Sequence, residues 1–150
     1  MRPSFRPCAV LVLVASACAG CGESLPPDLA GYETRCVKLN RDEIPPYEGD
    51  PHAGFKNVFA CNVPRAALEA DERPFPDGTI IIKESRREGQ DFTWLVASAR
   101  KEEGRWRWDE YTRNFGSEDH VRLLLPQSKC SNCHERVSSR DYIYSAYEAP

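Results

Sequence analysis

The sequence predicts an α+β protein, mainly antiparallel β-sheet with a few short helices. Residues 79–84 form a β-branched run (Thr79, Ile80, Ile81, Ile82, Lys83, Glu84) launched by the turn-forming Phe75-Pro76-Asp77-Gly78. Residues 92–101 and 105–112 each alternate with a period of two around Glu102-Glu103-Gly104, the pattern of a hairpin. A chain of 150 residues suffices for one domain with a real core and falls short of two.

The elements follow in order. Arg2 and Arg6 precede an apolar run, residues 9–19, that is too short to span a bilayer. A basic flank, a short apolar stretch and small residues before a break predict an export signal over residues 1–21. Ala19-Gly20-Cys21 resembles a bacterial lipoprotein cleavage site, and Cys18, after Ala15-Ser16-Ala17, is the competing one. The expected location is therefore the bacterial periplasm, with a lipid on Cys21 or Cys18 tethering a soluble domain, or plain secretion as the alternative. Residues 22–50 are expected as a tether and N-terminal segment. Residues 23–28 (ESLPPD) read as flexible chain, and residues 44–51 are dense in turn-formers. The domain proper is expected over residues 51–150.

Within it, residues 55–63 suit a strand and residues 65–70 a short helix begun after Pro64. The strand over 79–84 and the hairpin over 92–112 come next, with Trp106 and Trp108 on one face and Arg105, Arg107 and Asp109 on the other. Residues 121–125 are apolar and stop at Pro126. A short helix is expected over residues 130–140, and Tyr142, Tyr144 and Tyr147 close the chain. The formal net charge of -3 comes with no basic tract or charge block, which argues against nucleic acid as a partner.

The seven cysteines sort by context. Cys8, Cys18 and Cys21 belong to the signal and anchor, and Cys130 and Cys133 to a C-terminal motif. Cys36 and Cys61 remain. In an oxidising envelope they pair as a disulfide or stay as two buried thiols. A bridge would close a loop of roughly 25 residues, worth on the order of 3 kcal/mol by loop entropy.

Cys130-Ser131-Asn132-Cys133-His134 is the attachment pattern of haem c. Two thiols three residues apart each add to a haem vinyl group, and the next residue's imidazole turns up under the iron. One covalent haem is expected, on Cys130 and Cys133, with His134 as axial ligand. The rival readings fit less well. A thioredoxin-like Cys-x-x-Cys sits at the end of a strand that opens a helix in an α/β unit, and a structural zinc site needs a second Cys/His pair. For the sixth position, the only methionine is Met1, which export would remove, so a His/Met electron-carrier site is not available. His52, His120, a lysine or no protein ligand remain. An open iron site is the expectation, one that binds or transforms small molecules such as NO or CO.

These features together resemble the cytochrome P-460 and cytochrome c′-beta group of periplasmic monohaem proteins. The resemblance rests on Phe75-Pro76-Asp77-Gly78-Thr79-Ile80-Ile81-Ile82-Lys83-Glu84, the tryptophan-containing hairpin after it, and the terminal Cys130-x-x-Cys133-His134. It covers residues 55–147. It implies a β-dominated fold, often a homodimer, with a five-coordinate haem c and a distal pocket. In the P-460 branch a lysine is bonded to the haem macrocycle and hydroxylamine is oxidised, with electrons passing to a redox partner. Lys83 resembles that lysine. The strand pattern is also unusual in itself: Lys83 shares a face with Ile81, and Glu84 with Ile80 and Ile82. A solvated charge at a strand end is the plainer alternative. The P-460 enzymes also carry a distal carboxylate on the next strand, and residues 92–100 contain none, with Val96 or a neighbour in its place. Glu84, Asp109 and Glu110 are the candidate substitutes. In the c′-beta branch aromatic residues crowd the iron, a role for which Phe55, Phe59 and Phe75 are candidates, with ordinary core packing as the alternative.

Overall fold

The computed structural model describes residues 25–149. The expected export signal, residues 1–21, lies outside the described residues, and with it both candidate anchor cysteines, Cys18 and Cys21.

Six strands make one antiparallel sheet in sequence order: β1 (Val37–Lys38), β2 (Phe55–Cys61), β3 (Ile80–Arg86), β4 (Leu95–Glu102), β5 (Arg105–Thr112) and β6 (Val121–Leu123). Among the described residues three short α-helices accompany it: α1 (Tyr32–Arg35), α2 (Arg65–Glu69) and α3 (Gln127–His134), the last followed by a 3-10 segment, Glu135–Arg140. The fold class is the expected one. The β4–β5 hairpin turns on Glu103 and Gly104, both at positive φ (50° and 73°), as a two-residue turn that follows the strand twist requires. The strand expected from residue 92 starts instead at Leu95, because residues 87–94 form the connection from β3.

Register decides which side chains share a face. One row runs Val58, Lys83, Ala97, Glu110, Leu123, and the row beside it on the same face runs Ala60, Ile81, Ala99, Trp108. The alternate residues, among them Phe59, Ile82, Val96 and Tyr111, face the other way and pack with Leu29 and Tyr32 into a separate core. The chain before residue 51 therefore belongs to the fold: Leu29, Tyr32 and Leu39 are buried, and β1 pairs with β2. At the end of the stretch read as flexible tether, Asp28 accepts from Arg100 at 2.7 Å. Cys36 and Cys61 are joined by a disulfide that fastens the end of α1 to β2, with Cα atoms 4.5 Å apart.

On the first face the C-terminal chain returns across the sheet. Ile143 is buried there with Leu39, Ala60, Ile81 and Trp108, and Glu148 N–H donates to the Leu39 carbonyl at 2.6 Å. Helix α3 is docked by one side chain. β6 pairs with β5 only from Glu110 onward, which leaves Trp108 without a strand neighbour on that side. The Gln127 amide takes that place: Trp108 N–H donates to its Oε1 at 2.8 Å, and its Nε2 donates to the Trp108 carbonyl at 2.7 Å. The sheet edge thus sets the position of the helix that carries the cysteine motif.

Candidate functional site

The motif residues lie on α3 and line a cavity against the first face of the sheet. Cys130 and Cys133 are three apart on a helix and so share a side, with His134 next in the chain. Both thiols are free and half-buried. The cavity has a volume of about 230 Å³. Its wall combines apolar sheet residues (Val58, Ile81, Ala97, Ala99, Trp108), the three motif residues, Lys83 and Glu110 from the sheet, and His52 from the loop before β2.

His134 is held on three sides. Its ring sits 4.1 Å from that of Trp108, and Tyr144 approaches edge-on at 5.3 Å. Its Nδ1 donates to the Tyr142 carbonyl at 2.6 Å, which leaves Nε2 as the free, unprotonated nitrogen. Burial keeps the imidazole neutral by lowering its pKa, against the opposing pull of that carbonyl. Tyr144 also donates its hydroxyl to the Cys133 carbonyl at 2.9 Å, bracing the end of the helix. Burial pushes the Cys130 thiol up to about 11. A redox-active Cys-x-x-Cys needs the opposite shift, toward thiolate, so this environment disfavours the thioredoxin-like reading. Among the described residues no group of three or more His, Cys, Asp and Glu side chains is placed to hold a metal ion. The donor set fits a haem c: two free thiols on one side of a helix, an imidazole with its second nitrogen already bonded, and an apolar space beside them.

Lys83 lies in mid-strand, not at a strand end, and its side chain faces the cavity. Burial lowers its pKa, with Asp50 pulling the other way and Lys56 adding to the depression. Glu84 faces the opposite side, where Tyr32 donates to it at 2.5 Å and Asn57 at 2.9 Å. The neighbouring charges of β3 thus have separate environments, one paired and one open.

The sequence reading of the rest of the pocket needs correction. Val96 itself is fully buried in the other core, and its neighbour Ala97 lies in the cavity wall with Ala99. Of the three candidate carboxylates, Glu84 is on the far face, and Asp109 is engaged there by Arg100 at 2.9 Å and by Arg122. Glu110 alone directs its carboxylate to the cavity side, beside Ala97. None of the three phenylalanines caps the cavity. Phe59 meets Tyr32 edge-on in the other core, Phe55 lies beside Arg86 on that same face, and Phe75 is buried against Trp106. His120 is buried away from the cavity, its Nε2 without a partner among the described residues.

His52 is the residue whose role the sequence understated. It sits in the turn-rich loop, yet its Nε2 lies 3.5 Å from Glu110 Oε1 and both side chains are largely buried. The loop is clamped from below. Lys56 pairs with Asp50 and donates to the Gly54 carbonyl at 2.8 Å, Asp50 accepts from the His52 N–H at 3.0 Å, and Ser85 Oγ lies 2.9 Å and 2.6 Å from the His52 and Ala53 carbonyls. Gly54 makes this approach possible. At φ 113° its position would put any Cβ 2.4 Å from the Arg86 carbonyl oxygen. The sequence signal was available in principle, as a lone Gly between a Pro/Gly loop and a strand, but it does not say which way the loop folds.

A family model, cytochrome P460, matches residues 30–145, from helix α1 through the motif and the returning chain. A search of curated proteins gave no match. The match takes in every element that builds the cavity, from the His52 loop to the motif helix. The chain belongs to the cytochrome P460 family and is a c-type haem protein.

Proposed function

We propose that the protein carries one haem c, bonded to Cys130 and Cys133 with Nε2 of His134 as axial ligand, and that it binds and oxidises small nitrogen species, hydroxylamine above all. The observation that supports this most is the presence of Lys83, His52 and Glu110 in the wall of the cavity that the motif lines. When bound, the haem supplies an iron site for the ligand and a one-electron store. The chain's own residues do the rest. Apolar side chains of β2, β3 and β4 keep bulk water from the cavity. Hydroxylamine sheds protons as it loses electrons, and Glu110, with His52 3.5 Å away, is placed to take them and pass them toward the mouth. Lys83, with its amine drawn toward the neutral, nucleophilic form by burial, is the residue suited to a bond with the macrocycle.

On this reading the protein works in the bacterial periplasm, held to the envelope by a lipid on Cys21 or Cys18, and hands electrons to a redox partner protein. A homodimer is the proposed assembly. A second reading, a non-enzymatic protein that binds NO or CO or passes single electrons, is favoured by the apolar part of the wall: Val58, Ile81, Ala97 and Ala99 offer a diatomic nothing to react with.

Purified protein from a host that matures cytochromes c tests both. Haem that stays with the denatured chain, an optical spectrum altered by NO, an intact mass showing a Lys83 link, and hydroxylamine turnover lost in Lys83→Arg are the expected results. An ordinary c-type ferrous spectrum with no turnover would leave the binding protein, and no covalent haem would end both readings.

A further inference from the structure

We infer that the buried Lys101–Asp141 pair is a positioning device for His134: it holds the turn whose carbonyl fixes the imidazole, and so tunes the iron from a distance. The inference rests on His134 being the axial ligand, as proposed above.

Lys101 is near the end of β4, and Asp141 directly follows the 3-10 segment after the motif helix. Lys101 Nζ reaches both carboxylate oxygens, at 2.5 and 2.6 Å, and both side chains are less than one-tenth exposed. The same carboxylate accepts the Phe75 N–H at 2.9 Å. It is therefore gripped at once by β4 and by the loop before β3. Asp141 and Tyr142 are consecutive non-glycine residues with positive φ, 54° and 63°. That conformation is disfavoured for both, and persists where surrounding contacts over-determine it. Their N–H groups donate to Ser138 and Val137 carbonyls, each at 3.0 Å, and the Tyr142 carbonyl is turned back onto His134 Nδ1 at 2.6 Å.

A buried ion pair is costly to desolvate, and apolar residues of matching shape often stabilise a core as well or better. What the charges add is direction. A carboxylate shared between an ammonium and a backbone N–H fixes the tilt of the turn, and the turn fixes the acceptor for the histidine. A firm Nδ1–H to carbonyl bond raises the basicity of the other ring nitrogen and sets the plane of the ring. Loosening it should make the ferric state less favoured and alter ligand affinity.

The test uses haem-loaded protein carrying Asp141→Asn, Lys101→Met, or the apolar pair Lys101→Met with Asp141→Leu. Tyr32→Phe, on the opposite face, serves as a variant that loses stability without touching the turn. The expected result is covalent haem in all, a midpoint potential more positive than wild type in the three turn variants, and a CO affinity changed roughly tenfold. Tyr32→Phe should show neither change. The apolar pair should recover stability while keeping the altered potential, which separates positioning from mere support and covers the case in which Asp141→Asn does not fold. Turn variants with wild-type potential and CO affinity would overturn the inference alone. Wild type without covalent haem would overturn it together with the function it rests on.

Discussion

On β3, Ile80, Ile82 and Glu84 point to one side of the sheet and Ile81, Lys83 and Ser85 to the other. The first side is closed. Helix α1 and Leu29 lie over it, the Cys36–Cys61 bridge ties that cover to β2, and the carboxylates on it are engaged, Glu84 by Tyr32 and Asn57 and Asp109 by Arg100 and Arg122. The second side is only partly covered, by the returning chain and the motif helix, and keeps a cavity with an amine, an imidazole and a carboxylate in its wall. Strands of period two let one sheet be a packed core on one side and a cavity wall on the other. The closed side supplies the stability against which the open side's buried polar groups are tolerated.

That division predicts unequal responses to substitution. The largest belongs to Ile82, fully buried at the centre of the closed side. Ile82→Ala should lower the unfolding free energy by roughly 2–5 kcal/mol in denaturant titration, with the haem spectrum unchanged. A spectrum that shifted as much as the stability would show that the two faces are not separate. Next is the disulfide. Cys36→Ala with Cys61→Ala removes a bridge spanning 25 residues, and a loss of about 3 kcal/mol is expected, again without effect on NO binding.

The two faces were not equally legible in the sequence. The closed side followed from local rules: β-branched residues, alternation and a hairpin gave β3, β4 and β5 to within a few residues. The motif at Cys130, Cys133 and His134 was equally plain, because its chemistry depends on fixed spacing within one helix. Helix α1 and strand β1 went unread because they are four and two residues long and exist through burial of Leu29, Tyr32 and Leu39, not through any pattern of their own. The residues of the rest of the site were among the candidates, but their arrangement was hidden for a related reason. Lys83, Glu110 and His52 meet through register and through a loop clamped by Lys56, Asp50 and Ser85, and register is a property of strand pairs. A shift of one residue would have sent Glu110 to the far face in place of Asp109.

A smaller effect tests the pairing on the closed side. Tyr32→Phe removes one donor from a buried carboxylate and should cost about 1.5–3 kcal/mol at neutral pH. Burial and Glu84 raise the Tyr32 pKa far above its ordinary 10.0. Above pH 10 the unfolded chain releases that proton while the folded chain keeps it, so the stabilisation present below pH 10 is lost as pH rises. Wild type should therefore lose stability faster than Tyr32→Phe between pH 10 and 11. Parallel curves would mean that the hydroxyl is not buried against Glu84.

The open side should respond with the opposite sign and the smallest amplitude. Lys83 has its pKa lowered from 10.5, chiefly by burial, so the folded chain gives up the proton first. Between that depressed value and pH 10.5 the unfolded chain holds more protons, and stability rises with pH through that window. Below the window the charged amine is a burden, and Lys83→Met should be neutral or stabilising by about 1 kcal/mol at pH 7. The comparison belongs in the haem-free background Cys130→Ala with Cys133→Ala, where no bond to a macrocycle is available. There the wild-type Lys83 chain should gain on Lys83→Met as pH approaches 10.5, and a flat difference would show that the amine is solvated after all. In haem-loaded protein the same gain should vanish if Lys83 is bonded to the haem, because an amine in such a bond no longer titrates. One pair of pH series therefore reads the environment of Lys83 and, separately, its chemistry.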